Sequence, residues 1–129
     1  MVNANTKGRE AENRLATYLH VNGYEAELLR LGGVNDPGDL WVPVVNTRIE
    51  VKNHTNTQSA INEAGKDVRL LDERYPLSRN IAVVVRAGRG VEDWYAIRRV
   101  GAVFPPLQGS QAYMFGSSID LARNADNAT

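Results

Sequence analysis

Two stretches of the chain repeat apolar residues every three or four positions, and others alternate them or run them together. These rhythms divide the chain into helices and strands. Ala11, Leu15, Tyr18 and Leu19 form one stripe and predict a helix over 6–22, capped by Asn5 or Thr6, with Glu10 and Glu12 near its positive end. Gly23 stands where such a helix stops. Residues 24–31 then predict a strand, 32–38 a Gly/Asn/Asp/Pro loop, and 39–45 a second strand. A tight turn at Asn46-Thr47 leads to a partner strand over 48–53. The polar segment 55–59 opens a second helix, whose apolar face is Ile61, Ala64, Val68, Leu71 and Tyr75 and whose end is Pro76.

The run Ile81-Ala82-Val83-Val84-Val85 within 80–87 has the pattern of a strand covered on both faces. Gly88-Arg89-Gly90 breaks it, and 91–99 predicts a further strand. Pro105-Pro106 begins a looser stretch, and Ser117-Ser118 can cap a short helix ending at Arg123. The order is helix, three strands, helix, two strands and a small addition. An α/β fold follows, with a central mixed sheet flanked by helices. A single domain is expected over 1–129, with loose ends at 1–5 and 124–129.

Composition narrows the function. The 129 residues are 43% hydrophobic and 23% charged, enough for one core without staples. No cysteine is present, which excludes disulfide scaffolds, thiol catalysis and cysteine-held zinc. No apolar run approaches roughly 18 residues, and 1–9 has no apolar signal region, so a cytoplasmic protein with no membrane partner is expected. Fifteen basic and fifteen acidic residues cancel, but twelve of the basic ones are Arg and three Lys. Arg suits bidentate phosphate contacts, and a GC-rich genome explains the bias equally well. The chain lacks G-x-x-x-x-G-K-[ST], G-x-G-x-x-G and G-x-S-x-G.

The most informative residues are Asp39, Glu50 and Lys52. In Ile49-Glu50-Val51-Lys52-Asn53, alternation puts Glu50 and Lys52 on one face and Ile49 and Val51 on the other. Positions two apart on a strand are roughly 6.5–7 Å apart, which leaves room for a metal-bound water. The hairpin can bring Asp39 beside Glu50. Two carboxylates about 4 Å apart repel by about 4 kcal/mol at an effective dielectric near 20, so a cation would relieve them. Hard oxygen ligands select Mg²⁺ or Mn²⁺, and the main-chain carbonyl of Val51 can add another oxygen. Glu12, at the margin of the first helix's stripe, is a third acid. Each part also has an ordinary explanation: a solvated strand pair, turn chemistry after Pro37-Gly38, and a first-turn acid. Asp36 competes with Asp39, and Leu40-Trp41-Val42 favours Asp39 by placing it at a strand start.

These residues resemble those of the PD-(D/E)xK nucleases and are most similar to archaeal-type Holliday junction resolvases. The likeness runs from Lys7-Gly8-Arg9-Glu10-Ala11-Glu12 through Leu15, Leu19, Gly23-Tyr24, Arg30 and a glycine-containing loop to Asp39-Leu40 and Glu50-Val51-Lys52. It departs at Asn13, where resolvases often carry Arg, and in a slightly longer loop without the usual serine. The resemblance implies a restriction-endonuclease-like core, Mg²⁺-dependent hydrolysis of DNA four-way junctions, and a homodimer. It implies that Glu12, Asp39, Glu50 and Lys52 are catalytic. Asp39, Glu50, the Val51 carbonyl and Glu12 would surround metal, and Lys7, Arg9 and Arg30 would bind DNA. Lys66 and Arg69, on the polar side of the second helix with Asn62, are further candidates for DNA contact. A nuclease acting on duplex, flap or single-stranded DNA, or a module of the same fold that binds without cutting, are the alternatives. Trp41, Trp94 and Tyr95 can stack on bases, and Ile81–Val85, Trp94, Val103 or Phe104 can serve an interface. His54 lies two residues beyond Lys52, where it can reach the site or remain at the surface.

Overall fold

A computed structural model describes residues 4–29 and 37–107, with side chains from Gly8 onward. Helix α1 covers Ala4–Val21. It starts before Asn5 and Thr6, which therefore lie inside it rather than at its cap, and Glu10 and Glu12 lie beyond its first turn. Its end is a Schellman closure: Tyr24 N–H reaches Leu19 O at 2.8 Å and Gly23 N–H reaches His20 O at 3.0 Å. Gly23 makes this possible with φ +89°.

Five strands form one sheet in chain order: β1 (Glu27–Leu28), β2 (Leu40–Val42), β3 (Thr47–Lys52), β4 (Arg79–Val84) and β5 (Tyr95–Ile97). The β3–β4 pair is parallel and the other three pairs are antiparallel. The sheet is thus mixed, as the element order predicts. Strand β2 is shorter than expected because Pro43, which has no N–H to donate, opens a 3-10 turn over Pro43–Val45. Asn46 closes that turn in the left-handed region at φ 49°. Helix α2 (Thr57–Arg74) carries the chain from β3 to its parallel neighbour β4. Asn56 caps it by accepting the Ser59 N–H at 3.0 Å. A 3-10 turn at Val91–Asp93 shortens the last predicted strand to β5, and a one-turn helix, α3 (Val100–Val103), follows. The helix expected to end at Arg123 lies outside the described residues.

Alternate residues of the strands separate two apolar layers. On one face, Ala11 and Leu15 of α1 pack with Leu40, Val42, Ile49, Val83 and Trp94. On the other, Ala60, Ala64 and Val68 of α2 pack with Ala82 and Val84. Ala82, Val83 and Val84 are all buried, so β4 is the doubly covered strand its apolar run predicts. Small α2 residues bring that helix close to the sheet, and Ala60 takes the deepest first-turn position while Ile61 is half-buried. Among the described residues, no helix is long and apolar enough to cross a membrane.

Candidate active site

The β2–β3 ladder is irregular where Asp39 enters it. Leu40 is the register partner of Ile49, yet Asp39 N–H also reaches Ile49 O, at 2.8 Å. Two residues thus stand against one, the arrangement of a β-bulge, which re-aims a side chain. The Asp39 side chain turns across the hairpin, and its Oδ2 accepts the Val51 N–H at 2.7 Å. Gly38 makes the bend at φ +100° and is buried, and a Cβ there would lie 3.1 Å from Ile49 O. Arg48 steadies the approach: its Nη1 donates to Pro37 O at 3.3 Å, and its guanidinium lies over the rings of Trp41 and Tyr75 at 4.9 and 4.0 Å.

Strand β3 supplies the other groups. Glu50 is paired with Ala82 and Lys52 with Val84, and both partners belong to the layer beneath α2. Arg48, Glu50 and Lys52 therefore share the α2 face of the sheet. Main-chain groups of one strand residue point to the same neighbouring strand. Lys52 O accepts the Val85 N–H at 2.9 Å on the β4 side, while Val51 presents its N–H, and hence its carbonyl, toward Asp39. The Asp39 carboxylate and the Val51 main chain thus meet at one end of the hairpin, with Glu50 the preceding residue on β3.

Lys52 is held differently from expectation. Its ammonium is ion-paired to Asp67 of α2 and lies 4.0 Å from Glu63 Oε2. Glu63 in turn lies 2.7 Å from His54 Nε2. Burial alone would pull the Lys52 pKa down; the hydrogen bond and charge of Asp67, then the charges of Glu50 and Glu63, outweigh it and hold the pKa above its ordinary 10.5. Lys52 is therefore an ammonium at neutral pH. Sequence reading missed Glu63 and Asp67. Their signal was the i, i+4 spacing of two acids flanking Ala64 and Val68, the buried stripe of α2.

Glu12 is half-buried on α1, whose stripe covers the face of Ile49 and Val51 rather than that of Glu50 and Lys52. Among the described residues, no three His, Asp or Glu side chains gather closely enough to hold a metal ion, so Glu12 is not gathered with Asp39 and Glu50. The remaining donors, two carboxylates and a carbonyl, are hard oxygens. They suit Mg²⁺, which is commonly held through one or two carboxylates and keeps several waters.

Arg9 is exposed on α1, and Asn62, Lys66 and Arg69 are exposed on α2. Arg30, Asp36 and the Lys7 side chain lie outside the described residues. The three candidate stacking rings each carry a guanidinium: Arg48 on Trp41, Arg14 on Trp94 at 4.8 Å and Arg86 on Tyr95 at 4.4 Å. Trp94 is a core residue, and Ile81 to Val85 form the interior strand and its exit, whereas Val103 and Phe104 are exposed. No protein-family model matches the chain, and no curated protein matches it at a significant level.

Proposed function

We propose that this protein is a metal-dependent DNA endonuclease of the PD-(D/E)xK type with a restriction-endonuclease-like core. Its substrate on this reading is four-way junction DNA, cut by paired nicks from a cytoplasmic homodimer. One observation carries the proposal. A bulge aims the Asp39 carboxylate at the Val51 amide, on the strand that presents Glu50 and Lys52 side by side on its other face. A turn acid with only a local role would cap its own loop. Asp39 instead crosses to the strand that bears the second acid and the lysine.

Asp39, Glu50 and the Val51 carbonyl would hold Mg²⁺, with Mn²⁺ as a substitute. The bound ion supplies an activated water and neutralises charge on the phosphate. Lys52, an ammonium, offsets the negative charge that builds on the phosphate in the transition state, and does not serve as a base. Arg9, Lys66 and Arg69 are exposed cations for backbone phosphates, which position a duplex without reading its sequence.

The deciding experiment compares a four-way junction, a matched duplex and a single strand, each with Mg²⁺ or Mn²⁺, using Asp39→Asn as control. Symmetric paired nicks confined to the junction and lost in the variant establish the proposal. Metal-dependent cutting of all three keeps the centre and moves the function to a general nuclease. Binding without cutting leaves a non-cleaving module.

A further inference from the structure

Lys52 ends β3 and His54 lies two residues beyond it, and Glu63 and Asp67 are four apart on α2. Two strand residues advance the chain by about 6.5–7 Å. Four helical residues advance it by about 6 Å. The two spacings match. Because α2 returns antiparallel to β3 before entering β4, Asp67 meets Lys52 while Glu63 meets His54. The pairs are bridged, since Glu63 Oε2 also lies 4.0 Å from Lys52 Nζ. The Lys52 side chain is only 19% exposed and that of Asp67 27%, whereas Glu63 is 49% exposed. The inner pair is therefore the better fixed. A flexible four-carbon stem would otherwise leave the ammonium free to sample many positions.

We propose that Asp67 is a positioning residue for Lys52, holding its ammonium beside Glu50, with Glu63 and His54 as an outer brace. The inference rests on the nuclease reading for its effect on catalysis. The clamp itself is a property of the protein alone. Lys52 is one of three lysines, which makes it directly observable.

The first measurement is metal-free: acylation of each lysine by an amine-reactive reagent, followed by mass spectrometry. Lys52 should react at least about tenfold more slowly than exposed Lys66 in wild type, and most of that protection should vanish in Asp67→Asn. Asp67→Glu should restore part of it, and Glu63→Gln should change it less. The second is single-turnover cleavage. Asp67→Asn should lower the rate about tenfold or more with substrate affinity within about twofold, with Asp67→Glu again partly restoring it and the melting temperature little changed. Equal Lys52 labelling in wild type and Asp67→Asn overturns the clamp. Protected Lys52 with an unchanged cleavage rate in Asp67→Asn overturns its positioning role. Protected Lys52 in a wild-type protein that cuts no DNA overturns the nuclease reading and the catalytic role with it.

Discussion

The Asp39 carboxylate accepts the Val51 amide hydrogen at 2.7 Å, across a ladder that the bulge has already shifted by one residue. The side chain fills a place in the hydrogen-bond pattern that a main-chain carbonyl would fill in a regular hairpin. Its structural and chemical roles can therefore be separated. Asn offers the same acceptor without charge. Asp39→Asn should keep the fold within about 1 kcal/mol while abolishing Mn²⁺ binding and lowering cleavage roughly a hundredfold or more. Asp39→Ala, which strands the Val51 amide, should cost about 1–3 kcal/mol more in urea unfolding.

Gly38 is the second test of the bulge. A side chain there meets both a positive φ and the Ile49 carbonyl at 3.1 Å. Gly38→Ala should destabilise the protein by about 1–3 kcal/mol and should disturb the Asp39 position, lowering metal affinity as well. Gly23→Ala is the control, because its added Cβ meets nothing within 4 Å. It should cost only the conformational strain and leave metal affinity unchanged.

The raised Lys52 pKa has a defined consequence for stability. The folded protein binds this proton more tightly than the unfolded chain does. The stabilisation is therefore fully present below the unfolded value of 10.5 and is lost as pH rises through the higher folded value. The stability difference between wild type and Lys52→Met should be flat from about pH 8 to about pH 10 and then shift against wild type. Chemical denaturation of both proteins across that range tests the sign. A difference that shifts toward wild type would contradict the assignment.

Asn80 organises the far end of the sheet. It is 1% exposed, donates to Asp72 Oδ1 at 2.9 Å and to Tyr75 O at 3.0 Å, and accepts from Ser78 Oγ at 2.8 Å. Asp72 also pairs with Arg99 at 3.2 Å, so the network ties α2 to β4 and to the start of α3. Asn80→Leu removes the centre and leaves its neighbours short of partners, at a cost of about 2–4 kcal/mol. Because the site lies elsewhere, cleavage per folded molecule should change little.

Much of the scaffold was legible because it follows from periodicity. The Ala64, Val68, Leu71 stripe and the Ala82-Val83-Val84 run reported a helix and a doubly covered strand, and both are present. The Glu50, Lys52 alternation likewise put both groups on one face. Boundaries were less legible where a local rule competes with the pattern. Pro43 stops β2 early, and the turn at Val91–Asp93 replaces the first part of the last strand. Side-chain partners were the least legible. The sequence sets Lys52 beside the acids of its own hairpin, but a helix arriving from later in the chain brings Glu63 and Asp67 to it. Nothing in the sequence singles out Arg48, although it shares the row of Glu50 and Lys52, because its partners Trp41 and Tyr75 come from two other elements.

Among the described residues, six consecutive residues of β3 are matched to β4, whereas three are matched to β2, and β1 contributes two residues beyond that. Local opening begins where fewest interactions must break together. Glu50 and Lys52 thus stand on the longer-paired side of β3, and Asp39 on the shorter-paired side, where it is held by its own bonds to Ile49 and Val51. On the nuclease reading, an incoming phosphate would meet Glu50 and Lys52 on the extensively paired β3–β4 side and Asp39 on the more sparsely paired β2 side.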